Sequence, residues 1–224
     1  MAMTELPTGS RHPVAAPQPL FTGPLPGEPQ GILFVLSGPS GVGKDSVIRA
    51  LKAEGFPLQY VVTVTTRPRR PTEVHGRDYF FVSPAEFQRL KDQGRLLEWA
   101  VVHGHEYGTP LDQVQAALAA GQDVLLKIDV QGAAQVKRRV PGAVFIFLAP
   151  PSLEDLAARL AQRGTESPEA LARRLADAQA ELQRLREYDY VVINRAGALE
   201  MAVAHLKAII TAERLRVQPR RTRL

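Results

Sequence analysis

The run Gly38-Pro39-Ser40-Gly41-Val42-Gly43-Lys44 constrains this chain more than any other feature. Its spacing is G-x-x-x-x-G-K. It follows an apolar run at 32–36 and opens a helical stretch that reaches about residue 54, the context this loop requires. Glycines let successive backbone N–H groups curl round phosphate oxygens, and the helix N-terminus adds a dipole that favours negative charge. Lys44 supplies a mobile cation for the terminal phosphates. Such a loop commits the chain to an α/β architecture that binds a phosphorylated nucleotide. The residue after the lysine is commonly Ser or Thr, whose hydroxyl reaches Mg²⁺. Here it is Asp45, with Ser46 next. Either Ser46 serves, or the ion is held mainly by phosphates and water, which Mg²⁺ tolerates well.

The rest of the pattern agrees with that architecture. Apolar or β-branched runs at 60–64, 79–82, 96–102, 124–128, 144–148 and 190–193 read as strands. Ser83-Pro84-Ala85-Glu86 has the cap, first-turn proline and acid that start a helix, expected to run to about Gln93. Thr109-Pro110 opens another that closes near Gly121. Ser152 caps one to about Gln162, Ser167-Pro168 opens one to about Glu187, and a last helix follows the last strand. Strands alternating with helices predict a parallel sheet flanked by helices. Residues 63–120 interrupt the rhythm with closely spaced strands and read as a small subdomain over the sheet. Residues 1–30 are rich in Pro and Gly, carry few core formers, and are expected to be a disordered or extended tail.

Composition narrows the chemistry. There is no cysteine, which excludes disulfides, thiolate metal sites and cysteine nucleophiles. No apolar run approaches the roughly twenty residues of a membrane span, and the first 29 residues lack the pattern of a secretory signal. The net charge is +5, and Arg67 to Arg70 and the tail 214–224 hold much of the excess. The tail is expected to be solvated.

The loop alone says only nucleotide. Thr63-Val64-Thr65-Thr66-Arg67-Pro68-Arg69-Arg70 and Glu73-Val74-His75-Gly76-Arg77-Asp78-Tyr79 follow it. Glu98-Trp99-Ala100, Glu106-Tyr107-Gly108-Thr109 and Lys127-Ile128-Asp129-Val130-Gln131-Gly132 come after them. This ordered set resembles the guanylate kinases from Gly31 to about Ala212. The resemblance implies a P-loop core at 31–62, 121–162 and 175–213, a GMP-binding subdomain at 63–120 and a lid at 163–174. Carried over by position, Gly38 to Ser46 bind ATP, with Ser46 the candidate for Mg²⁺ and Asn194 near adenine. Arg67, Arg70, Tyr79 and Tyr107 hold the GMP phosphate, since guanidinium forks and phenols suit phosphate oxygens. Glu98 reads guanine, whose N1–H and N2–H can both donate to one carboxylate. Thr63, Thr109 and Asp129 complete the base pocket, and Trp99 is assigned to packing. Lys44, Arg159, Arg163 and Arg174 stabilise the transferring phosphoryl group.

Three positions depart from the family's pattern: Asp45, Thr63 where Ser is usual, and Lys127 where an acid is usual. The implied partners are ATP with Mg²⁺ and GMP, in the cytoplasm, with neither membrane nor nucleic acid. The motifs leave room for a homo-oligomer. Two other readings stand beside this one. Lys44-Asp45-Ser46 also resembles ribose bisphosphate phosphokinases. Some guanylate-kinase-like domains are binding modules without catalysis, although these typically lose the loop lysine or lid arginines that this chain keeps.

Overall fold

In the computed structural model the described residues are 31–102, 104–161, 168–218, Arg220, Thr222 and Leu224. The expected tail at 1–30 and Arg163 of the expected lid lie outside them.

β1 (Leu33–Ser37), β2 (Gln59–Tyr60), β7 (Val124–Lys127), β8 (Val144–Ala149) and β9 (Tyr190–Ile193) form a parallel sheet in the order β2-β7-β1-β8-β9. β1 and β8 are buried along their whole length, as central strands covered on both faces must be. The two-residue period of β1 divides the core. Phe34 and Leu36 pack with Val47 and Leu51 of α1 (Lys44–Ala53) and with Leu206 and Ile210 of α7 (Leu199–Arg214). Leu33 and Val35 face Val114 and Ala117 of α3 (Leu111–Ala119) and Val136 of α4 (Val130–Arg139). Each such side chain, fully buried, contributes about 1.5–3 kcal/mol.

A second sheet, ordered β4-β3-β6-β5, holds β3 (Val64–Thr65), β4 (Phe80–Phe81), β5 (Leu96–Val102) and β6 (His105–Pro110). α2 (Pro84–Asp92) covers it through Phe87, which packs with Val64 and Leu96. Ser83 caps α2 as expected, accepting from Glu86 N at 3.2 Å. The strand expected at 60–64 is instead split. Its first residue joins the parallel sheet and its last joins the second sheet, with Val61 to Thr63 as the crossing. A β-branched run says extended chain, but not which ladder will take it. β6 was not expected, because its residues alternate polar types and present no apolar run. α4 too was not expected.

β5 is where the two hydrophobic cores meet. Leu96 joins the cluster under α2, whereas Leu97 joins the cluster under α3 and α4. An extra residue between the pairs Leu96↔Pro110 and Glu98↔Thr109 forms a bulge, which bends the strand and re-aims the residues beyond it. Glu98 is thereby buried beside Thr109, while Trp99 turns outward. Trp99, assigned to packing, is 39% exposed and stacks its ring against Lys91, whose ammonium lies 4.0 Å from the ring centre.

α5 (Leu153–Ala161), α6 (Pro168–Gln183) and a short 3₁₀ turn (Arg184–Glu187) lie between β8 and β9. The basic tail is not simply solvated. Arg220 doubles back to pair with Glu213, which is 1% exposed within α7, and with Asp189. Thr222 Oγ1 accepts a hydrogen bond from Leu33 N. Burying one carboxylate without partners would be costly. Tyr190 Oη at 2.6 Å and the Arg220 guanidinium at 3.1 Å supply them.

Candidate active site

The phosphate loop leaves the C-terminal end of β1, where open α/β sheets place their ligands. Its shape depends on glycine at two close approaches. Gly38 has φ +138°, and a Cβ there would stand 2.1 Å from Leu148 O. Gly43, the N-cap of α1, has φ +101°, and a Cβ would stand 2.5 Å from Asn194 Nδ2. Asn194, 6% exposed, spends that amide on Val42 O at 2.8 Å. Arg159 of α5 braces the same loop, donating to Val42 O at 3.3 Å and to Asn194 O at 2.7 Å. An open cleft beside the loop is lined by Gly41, Gly43, Ser46, Arg159, Asn194 and Gly197.

Lys44 folds back on the loop, donating to Gly38 O and, at 3.0 Å, to Pro39 O. Burial pushes its ammonium down to about 8, against the upward pull of Glu181 and Asp45. A half-buried ammonium whose burial outweighs the pull of its neighbouring carboxylates is one that a bound polyphosphate would stabilise.

The acceptor side is built from side chains. Thr65 Oγ1 donates to Glu106 O and accepts from Arg67 N, fixing the turn that carries Arg67 against β6. Arg67 lies 5.5 Å from the Tyr79 ring centre and is held by Glu73 at 2.7 Å. Tyr79 meets Tyr107 edge-on, with ring centres 6.1 Å apart. The side chain of Arg70 is exposed, and its backbone N–H donates to Glu73.

Behind this cluster Glu98 is 3% exposed. Its Oε1 accepts from Thr109 Oγ1 at 2.6 Å. Its Oε2 lies so close to Gly132 that a Cβ there would stand 2.2 Å from it and 3.2 Å from Asp129 Oδ1. Asp129 caps α4, accepting from Gly132 N at 2.7 Å. Burial pushes the Glu98 carboxyl up to about 7; the Thr109 bond opposes this and Asp129 adds to it. Burial raises Asp129 as well, opposed by the Gly132 bond and Lys44. Two carboxylates disposed to take protons therefore converge over the first turn of α4.

Lys127, at the end of β7, joins the two sides. Its Nζ lies 2.5 Å from Asp45 Oδ1 and donates to Tyr79 Oη at 3.1 Å. Burial lowers this ammonium, but Asp45 and Tyr79 together outweigh it and bring it to about 12. The two departures in charge read from the sequence are thus partners of each other, 82 residues apart.

The structure gathers Gly38 to Ser46, Arg159 and Asn194 round the loop, and Arg67, Tyr79 and Tyr107 in one cluster. Glu98, Thr109 and Asp129 share one pocket. Thr63 sits at the crossing between the sheets, half-buried. Arg174 is half-buried on α6, and Arg163 lies outside the described residues. The sequence reading did not single out Glu73, Gly132 or Glu181. Glu181, on α6, is pushed up to about 7 by burial, against the field of Lys44. None of these carries a local signature.

Residues 30–213 match the family model described as guanylate kinase. The guanylate kinase of Symbiobacterium thermophilum is 50% identical over 192 residues, covering 86% of this chain and 90% of that one. The guanylate kinase of Mycobacterium leprae is 51% identical over 183 residues, covering 81% and 86%. Among solved structures, guanylate kinase from Anaplasma phagocytophilum superposes with a TM-score of 0.67 at 32% identity, covering 84% of this chain and 88% of that one. A glycine-built phosphate loop facing a carboxylate-lined pocket, on a sequence matched along nearly all its described length, has one family to join: the chain belongs to the guanylate kinases.

Proposed function

We propose that this protein transfers the terminal phosphoryl group of ATP to GMP, giving ADP and GDP, reversibly. The observation that carries the reading is Glu98. A carboxylate 3% exposed, whose protein donors all come from Thr109, is costly to keep charged, and burial outweighs those bonds. Guanine offers two N–H donors on one edge and would satisfy it. Adenine presents a lone pair at N1 and no amine at C2, so it would leave the carboxylate unpaired. Thr63, Thr109 and Asp129 line the rest of the base site, and Arg67, Arg70, Tyr79 and Tyr107 take the GMP phosphate. ATP lies along Gly38 to Ser46, its base in the cleft beside Asn194.

The acceptor atom is already a phosphate oxygen, so no side chain has to remove a proton or form a covalent intermediate. The chain's work is alignment and charge neutralisation. Lys44, released from its carbonyls, follows the transferring group. Arg159 and Arg174, with Arg163 of the lid at 163–174, complete the charge around it and exclude water. Among the described residues no cluster of three or more His, Asp or Glu forms a metal cage. The Ser46 hydroxyl in the cleft suits Mg²⁺ that arrives on ATP phosphates and keeps its waters. When bound, the ion supplies positive charge to the phosphates. No described helix is long and apolar enough to cross a membrane. We assign the enzyme to the cytoplasm, with no nucleic acid as partner.

Initial rates with ATP and GMP, AMP or ribose 1,5-bisphosphate test the reading. A site that hydrogen-bonds a substrate group rejects analogues lacking it by about 10⁴ or more. GMP is expected to exceed AMP in kcat/KM by a ratio of that order, with no turnover of the sugar bisphosphate. Comparable rates on AMP, or phosphorylation of the sugar, would overturn it.

A further inference from the structure

We infer that Lys127 is an additional cation of the acceptor-phosphate site, and that Asp45 holds it until the phosphate arrives. This rests on the proposed GMP reading. Three observations meet at one atom. Lys127 Nζ donates to the hydroxyl oxygen of Tyr79, a member of the phosphate cluster, at 3.1 Å. A hydroxyl that accepts from an ammonium has its own proton left to give. Tyr79 therefore keeps its own proton free to donate to a second acceptor, such as a phosphate oxygen. The Lys127 ammonium also lies 5.2 Å from the Tyr79 ring centre, so it is seated over the same residue that the phosphate would approach.

The second partner of Lys127 differs in kind. Asp45 is 77% exposed in its side chain, against 26% for Lys127. An ion pair to a solvated carboxylate is weak and readily exchanged. The carboxylate can turn back to water at little cost, while the lysine stays beside Tyr79. Arg67 shows the same arrangement, with Glu73 at 2.7 Å standing where an anion would go. Lys127 and Arg67, both on the acceptor side, are thus each paired with a carboxylate. An incoming dianion displaces Asp45 from Lys127 and gains a charge-assisted hydrogen bond.

The inference gives the two partners opposite signs, which a merely structural ion pair does not. Titration calorimetry with GMP alone, on the full chain, measures this without turnover. Lys127→Met keeps the length of the side chain and removes its charge. It is expected to weaken GMP about tenfold or more, as for loss of one charged hydrogen bond, and Lys127→Arg to recover most of the loss. Asp45→Asn removes the competitor and is expected to tighten GMP by about twofold to tenfold, in keeping with a weak surface pair. Combined with Lys127→Met, Asp45→Asn is expected to change nothing further. Guanosine, which lacks the phosphate, should bind all variants alike. If both single variants weaken GMP, or neither moves it, the inference fails while the GMP reading stands. A parent protein that does not bind GMP overturns that reading itself.

Discussion

The proposed donor loop and acceptor pocket are built by opposite means. The loop is one stretch of consecutive residues, Gly38 to Lys44, and works through backbone N–H groups and glycine conformations. The pocket gathers side chains from the turn after β3, from the start of β4, from β5 and β6, and from the cap of α4. In the loop an ammonium is turned against neutral carbonyls. In the pocket two carboxylates sit close together, and burial pushes both towards the protonated form. The two sides carry opposite charge, and Asp129 is felt by both Lys44 and Glu98. Backbone sites can be written in a short motif because the chain itself is the ligand-binding surface. Side-chain sites depend on the fold to converge.

If that division is right, damage to the loop should spare acceptor binding. Lys44→Met removes the cation proposed to follow the transferring group. It is expected to lower kcat by roughly two to four powers of ten, as for other transition-state electrostatic contacts. The Kd of GMP, by calorimetry, should change by less than about threefold, since Lys44 serves the donor. A loss of GMP affinity as large as the loss of kcat would show that the two regions are one.

The converse variant is Gly132→Ala. Gly132 lies within α4, where alanine favours the helix by about 1 kcal/mol. Its added Cβ, however, would stand 2.2 Å from Glu98 Oε2. Glu98 is pinned by Thr109 and buried, so its carboxylate must move from the position proposed to meet the guanine edge. The expected result is a weakening of GMP by about ten- to a hundredfold, as when a buried hydrogen-bonded group loses its partner. ATP-analogue binding and the melting temperature should stay near the parent's. A variant that binds GMP like the parent would remove Glu98 from the base site.

The same contrast explains what could be read from the chain. β1, β7 and β8 were legible because central parallel strands are continuous apolar runs, the edge strand β9 because Val191 to Ile193 are β-branched, and the loop because its spacing is its function. β6 was not, since His105 to Thr109 are polar on one face and serve the pocket on the other. α4 was hidden because its helix begins inside a motif read only for ligands. Lys127 and Asp45 were each visible as departures in charge. Their pairing was not, because the sequence does not show that the end of β7 lies beside the start of α1. Glu98 entered by family resemblance. The bulge at Leu97 that aims it is a property of strand pairing and left no mark in composition.

Acidity offers a finer probe of the pocket. In the proposed reading guanine's donors bind the Glu98 anion, and burial holds the unliganded carboxyl near 7. Below that value binding must first release a proton. GMP affinity is therefore expected to fall as pH drops from 8 to 6, approaching tenfold per unit at the acid end. Asp129, and beyond it Lys44 and Glu181, set the local field and should shift the midpoint rather than its direction. The GMP phosphate titrates nearby, with a second pKa of about 6, so Glu98→Gln is the reference. Its residual binding should carry only the phosphate's share. Parallel pH profiles for parent and variant would mean that Glu98 does not face the base.

The smallest effect concerns stability, and it has the opposite sign from activity. The Glu98 carboxyl ordinarily titrates at 4.5 and is brought to about 7 in the fold. Between these values the native state holds a proton that the unfolded chain has released. The unfolded chain binds fewer protons there, so stability falls as pH rises through that window. Above about 7 the penalty is complete, and below 4.5 it vanishes. Glu98→Gln removes the charge, keeps an oxygen for Thr109 Oγ1, and turns an amide donor towards Asp129. The variant should be more stable than the parent at pH 8, by about 1–3 kcal/mol. That corresponds to a melting temperature higher by several degrees for a domain of this size, roughly 2–4 °C per kcal/mol. At pH 4.5 the difference should close. The measurement is thermal unfolding without nucleotide at both pH values. A Gln variant that melts below the parent at pH 8 would mean that the buried carboxylate is satisfied within the fold, and that the pocket does not wait on guanine to complete it.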